Sequence, residues 1–256
     1  MKNKLGTCAL CKESNVRLRD SHIIPRLAYK RAKSFENSRF RSLENINVIY
    51  QDGEKKPMLC QRCETLFSGF ETAFTNKFLD KYLETGNLPD AYEKMDNYIL
   101  SVAWRILYDD IYNLNSYQGK NVLKYYKDFE SILFEFLNDI RCGNEPESPI
   151  KIKNYIFRLE DFGYKEELID YLKSSLFGYS FNEDLSSFIA YTHYNGLIIA
   201  TVFRPNEISL ELEGEIKLTI YNELNYEIRN MIEKDKNNKK ILDAGLREKI
   251  SKRYNK

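Results

Sequence analysis

Two short runs, CALCKESN (residues 8–15) and CQRCETLF (residues 60–67), each open with a pair of cysteines two residues apart. A Cys-x2-Cys turn places two thiolates on one side of a tight knuckle, and two such knuckles complete a tetrahedral sulfur site with metal–sulfur bonds of about 2.3 Å. Cys8, Cys11, Cys60 and Cys63 are therefore read as the ligands of one zinc ion; an iron–sulfur cluster and unmetallated thiols are the alternatives. Four cysteine ligands leave no open position, so this ion is structural and does not activate water. The two pairs are separated by 48 residues, longer than a compact zinc ribbon, so the insert must carry secondary structure of its own. Cys142 stands outside the pattern and reads as a buried or incidental thiol.

Working outward, residues 16–24 (VRLRDSHII) alternate well enough for a strand, and Pro25 ends it or opens a short helix. Residues 33–45 are polar and read as a loop. Residues 46–60 read as a β-hairpin turning at Asp52 and Gly53. Phe67, Phe70, Phe74 and Phe78 recur at three and four residues, giving one apolar helical face over 61–85. Gly69 inside that helix costs about 1 kcal/mol relative to Ala, which suggests a close contact there. Gly86 and Pro89 end the segment.

Residues 90–114 and 119–141 carry two more apolar stripes and read as packed helices. Residues 142–151 (CGNEPESPIK) have the composition of a linker. Beyond it, residues 152–159 read as a strand and 187–203 as a hairpin turning at Asn195 and Gly196. Residues 208–220 add one or two strands, and 222–234 and 240–254 read as helices with a polar break at Lys236–Lys239. The expected class is α+β: a zinc-stapled module over 1–85, a helical segment over 86–145 packing on it, and an α+β domain over 150–256.

The chain's net charge is only +1, but residues 1–85 carry 16 Lys and Arg against 10 Asp and Glu, and the rest is acidic. That asymmetry suits a polyanion on the basic part. Residues 12–41 are densest, with nine basic side chains against three acidic ones. Arg17, Arg19, Arg26, Lys30 and Arg31 belong to this stretch, and such a patch suits phosphate contacts that position a nucleic acid without reading its sequence. No apolar run reaches the 18 residues of a membrane span and the first residues lack the apolar core of a signal peptide, so a cytoplasmic protein is expected. The chain has two histidines, His22 and His193, so a His-rich metal site or a histidine dyad is hard to build. His193 reads as a surface or packing residue.

Between the cysteine pairs lies Asp20-Ser21-His22-Ile23-Ile24-Pro25, and the second pair continues directly into Glu64. In this order the chain resembles the HNH, or ββα-metal, endonucleases of the zinc-stapled four-cysteine type, over about residues 5–80. The resemblance implies a metal-dependent endonuclease hydrolysing phosphodiester bonds in DNA. It makes His22 the general base and Glu64 a ligand to Mg²⁺ or a similar divalent cation. Glu71, two helical turns further along the same face, becomes a further ligand or supporting group. Ser21 stands where the family places another metal ligand. The stretch before the second pair holds Glu54, Lys55, Lys56 and Pro57 where the family's middle Asn lies, with Asn45 and Asn47 further back. Strand alternation puts Asp20 on the His22 face, unless a bulge intervenes. The competing reading is a non-catalytic zinc-binding module recognising nucleic acid or a protein partner, and the C-terminal region is a candidate surface for such a partner. A pure protein-interaction protein is the third class.

Overall fold

The computed structural model describes residues 4–36, 40–41, 49–50, 53–114, 120–173, 175–183, 185–206 and 213–238. They form a mixed α and β structure whose strand pairs are all antiparallel. Strands β1 (Leu5–Gly6), β2 (Val16–His22) and β5 (Lys55–Cys60) make one sheet in the order β1-β2-β5. Helix α1 (Arg26–Glu36) and the short pair β3 (Phe40–Arg41) and β4 (Ile49–Tyr50) lie between β2 and β5 in sequence. Helix α2 (Gln61–Phe74) follows β5 without a break and continues through a π-helical turn, Thr75–Leu79, into α3 (Asp80–Thr85). Gly86 stops it in the left-handed conformation, φ 71°.

Several expectations for this region need correction. The return strand β5 pairs with β2 and not with Ile49–Tyr50, which pairs with Phe40–Arg41 instead; residues 46–48 lie outside the described residues. Gly53 keeps a positive φ of 86°, and an added Cβ would come within 2.0 Å of the Tyr29 ring, so it is required by close approach to α1. Asp52 lies outside the described residues. The loop expected over 33–45 is helical through Glu36, because Ala28, Tyr29 and Ala32 give α1 a buried face. Gly69 does not mark a close contact: beyond its chain neighbours and its own helix backbone, no atom of the described residues lies within 4 Å of a Cβ built there.

Helices α4 (Met95–Leu114) and α5 (Lys120–Arg141) pack against each other. Residues 98–107 of α4 are buried without a break, including Tyr98, Trp104 and Arg105. A helix apolar all round belongs inside a protein, and α4 lies against α2, α5 and the second sheet. That sheet has the order β6-β9-β8-β7, built from β6 (Ile152–Arg158), β7 (Phe177–Glu183), β8 (Ser187–Tyr194) and β9 (Leu197–Phe203). A 3-10 turn (Leu159–Phe162) and helix α6 (Glu166–Lys173) connect β6 to β7. The β8–β9 hairpin turns at Asn195 and Gly196, with φ of 54° and 80°, as the Asn-Gly dipeptide predicts.

Every residue of β8 and β9 is buried, because the sheet is covered on both faces. Phe188, Ala190 and Phe203 join a core with α4, α5 and the cysteine cluster. Ile189, Tyr191, Ile198 and Val202 join another with Ile216, Ile220, Leu224 and Ile228 of α7 (Glu213–Asn238). Helix α7 corrects the strands expected over 208–220 from Glu213 onward, residues 208–212 lying outside the described residues, and it runs into the expected break as far as Asn238. Residues 240–254 lie outside the described residues.

Two outcomes follow from this packing. Gly69→Ala adds a methyl group to an open helical surface and should stabilise the fold by roughly 0.5–1 kcal/mol, read as a higher urea midpoint with an unchanged slope. His193 corrects the surface alternative: it is fully buried on β8, stacked on Phe177 at 5.9 Å, and neither ring nitrogen has a hydrogen-bond partner among the described residues. Burial pulls its pKa from 6.5 down to about 3. A depressed imidazole contributes fully above the unfolded value and loses its contribution as pH falls from about 6.5 towards 3. Unfolding between pH 6 and 4 should take up about one proton fewer in His193→Phe than in the parent chain, measured from the pH dependence of the urea midpoint; equal slopes contradict it.

Candidate metal centre and adjoining carboxylate site

The four cysteine sulfurs converge. The Sγ atoms of Cys8, Cys11, Cys60 and Cys63 all lie within 4.8 Å of one another. A tetrahedron with bonds of about 2.3 Å to sulfur has edges of about 3.8 Å, and Cys11 and Cys60 are 3.8 Å apart. Local backbone builds the first knuckle: Lys12 N–H donates to the Cys8 carbonyl at 3.0 Å, and Cys8 N–H to the Glu13 carbonyl at 2.9 Å. The left-handed φ of Lys12, 59°, closes the turn. Ala9 N–H donates to the Met58 carbonyl at 2.9 Å, fastening this knuckle to β5.

The second pair lies at the junction of strand and helix, where Cys60 is the last residue of β5 and the N-cap of α2. Its N–H donates to Cys8 Sγ at 3.3 Å. The Cys63 thiol and the backbone N–H groups of Cys60, Cys11 and Leu10 favour a Cys8 thiolate, pulling it down to about 4. The hydrogen bond with Cys8, then burial and the Cys8 charge, push Cys63 up. Four sulfurs sharing so little space, three of them on buried residues, cannot all ionise alone, and a divalent cation is the chemistry that lets them. The donor set fits a metal ion such as zinc, held by Cys8, Cys11, Cys60 and Cys63. Cys142 is exposed, which corrects the buried alternative, and it lies apart from the cluster.

This clasp sets what lies beside it. Because Cys60 pairs with Leu18, β2 runs alongside the strand that leads into α2. Strand β5 carries one extra residue, Met58, against the step from Arg19 to Asp20. Pro57, which has no N–H to donate, sits at this bulge, where strands tolerate proline. Past the bulge, Ser21 is fully buried and Asp20 is exposed. Asp20 thus stays on the solvent side, and Ser21 is the residue turned towards α2.

Ser21 Oγ donates to Glu64 Oε2 at 2.7 Å. Glu64 lies in the first turn of α2, where the helix dipole favours a carboxylate. Glu71, seven residues on, faces the same interior but has a partner of its own: Arg105 Nη1 donates to Glu71 Oε1 at 3.0 Å. The same Nη1 donates to the main-chain carbonyl of His22 at 3.2 Å. The His22 imidazole is half-buried, 6.3 Å from the Tyr29 ring between centroids. The structure therefore brings Ser21, His22, Glu64 and Glu71 into one neighbourhood and adds Arg105. In the sequence Arg105 stands beside the apolar stripe of α4 and belongs to no motif. Its signal is a lone cation in the apolar run 98–107, where an unpaired charge is too costly to bury.

The basic residues divide. Arg17 and Arg19 are exposed on β2, and Arg26 and Lys30, four residues apart on α1, are exposed as well. Arg31 instead pairs with Asp80 of α3 at 2.5 Å. Lys56, opposite Ser21 on β5, is ion-paired to Asp109 of α4. A cleft of about 610 Å³ shares none of these residues; its Asp96 is taken up by Ser148 and Asn154. Among the described residues no helix is long and apolar enough to cross a membrane. Comparisons with family models, curated proteins and solved structures gave no match for the chain.

The convergence of sulfurs predicts one tightly held metal ion per chain. A thiol-modifying mercurial should release one equivalent and lower the thermal midpoint. Cys63→Ser should lose the ion, and Cys142→Ser should keep it; equal metal content in both variants contradicts the assignment.

Proposed function

We propose that the cysteine cluster holds a structural zinc ion and that residues 1–85 form an HNH-type, ββα-metal nuclease module cleaving phosphodiester bonds in DNA. The observation that carries the reading is the 2.7 Å hydrogen bond from Ser21 to Glu64. It seats the residue beside His22 on the first turn of the helix that the second cysteine pair opens. Two antiparallel strands leading directly into a helix, with the sulfur clasp at their junction, agree with it.

In this reading His22 accepts a proton from the water that attacks the scissile phosphorus. Ser21 occupies Oε2 of Glu64 and fixes the rotamer of the carboxylate, leaving Oε1 for a hard divalent cation such as Mg²⁺. A cation held there neutralises charge on the phosphate and on the leaving oxygen. Arg17, Arg19, Arg26 and Lys30 supply phosphate contacts beside the site. The four-stranded sheet and α7 are left for target selection or a protein partner.

One observation favours a second reading, a zinc-binding module that recognises nucleic acid without cutting it. Glu71 is engaged by Arg105, so Glu64 is the one carboxylate of the pair left for a cation. Supercoiled-plasmid nicking separates the two. The parent chain should nick in the presence of Mg²⁺ or Mn²⁺, and His22→Ala and Glu64→Gln should each slow it by at least about 100-fold. Salt-sensitive DNA binding with no nicking under any divalent cation supports the second reading instead.

A further inference from the structure

Arg105 is the least expected residue near this site. Its side chain is 2% exposed. Its Nε donates to the Ser101 carbonyl one turn back at 3.2 Å, and its guanidinium carbon lies 5.4 Å from the centroid of the Phe67 ring. Nη1 is shared between the His22 carbonyl and Glu71, while Nη2 has no hydrogen-bond partner among the described residues. A buried guanidinium with an unmatched donor is poor material for stability, since an apolar residue of similar volume fills such a space at lower cost. What this geometry does achieve is placement. One nitrogen on α4 fixes the main chain of the histidine and the direction of the carboxylate two turns along α2.

We infer that Arg105 is the positioning residue of this site, clamping the His22 backbone and withholding Glu71 so that Glu64 alone of the two carboxylates ligates the cation. The inference rests on the nuclease reading for the identity of the cation ligand, but the clamp itself does not need catalysis.

The test is Mn²⁺ binding to the full zinc-loaded chain, followed by electron paramagnetic resonance. Glu64→Gln should weaken Mn²⁺ tenfold or more, and Glu71→Gln should leave it within twofold. Arg105→Met frees Glu71, so it should tighten Mn²⁺ severalfold, and adding Glu71→Gln to it should abolish the gain. A merely structural arginine would not produce that dependence on Glu71. Tenfold weakening by Glu71→Gln alone makes Glu71 a ligand and overturns the inference, as does an Arg105→Met effect that persists in the double variant.

If the parent chain binds no Mn²⁺, the cation reading fails by itself, and the clamp is decided on the imidazole resonances at fixed pH. With two histidines in the chain, His193→Phe leaves His22 as the single signal. Arg105→Met in that background should shift and broaden it; an unmoved His22 signal overturns the inference. Should Arg105→Met not fold, Arg105→Lys keeps the buried charge but cannot span His22 and Glu71 while bonding Ser101, and it should move the His22 signal in the same way.

Discussion

Everything near the candidate site follows from the meeting of four sulfurs. Closing a loop of about 50 residues costs roughly 4 kcal/mol of chain entropy. A zinc ion bound there by four thiolates would contribute on the order of 10 kcal/mol at neutral pH, enough to outweigh the closure. The closure brings β5 to β2 and not to its nearer neighbour in sequence. It also seats the start of α2 beside the Ser21–His22 end of β2. β1 is only two residues long, and the sheet's further support comes from Met58 and Leu59 of β5 in the core.

The second organising element is α4. Along one helix, Arg105 reaches His22 and Glu71, Asp109 pairs with Lys56 of β5, and Asp110 accepts from the backbone N–H of Ser180 at 2.5 Å and its hydroxyl at 2.7 Å. Burial raises Asp110 to about 6. The N-terminal strands and the four-stranded sheet are therefore tied to the same helix. Direct packing adds to this, because a Cβ on Gly178 of β7 would lie 3.0 Å from Ile24, two residues past His22. The position of the histidine thus depends on both parts of the chain.

What the sequence shows plainly is what local chemistry determines. The cysteine pairs declare a four-sulfur site by spacing alone. The phenylalanine stripe declares α2, and Asn195-Gly196 declares its hairpin. Misread segments are those decided by distant partners. The Asp52-Gly53 signal suggests a local hairpin, but the knuckle's hydrogen bond to Met58 and the shared sulfurs draw β5 elsewhere. Residues 216–220 alternate Ile-Lys-Leu-Thr-Ile, which mimics a strand. The helix is visible only when Ile216, Ile220, Leu224 and Ile228 are seen to be buried together while Leu218 is 59% exposed. At the site, Ser21, His22 and Glu64 are legible through their places relative to the cysteines. Arg105 is not, because 83 residues separate it from the carbonyl it holds.

The most direct measurement is zinc K-edge X-ray absorption on the purified full chain. A single shell of four sulfur scatterers at about 2.3 Å is the predicted result. A shell mixing sulfur with nitrogen or oxygen, or a chain that purifies folded and free of metal, would contradict the clasp and remove the physical reason for β2 and α2 to share a site.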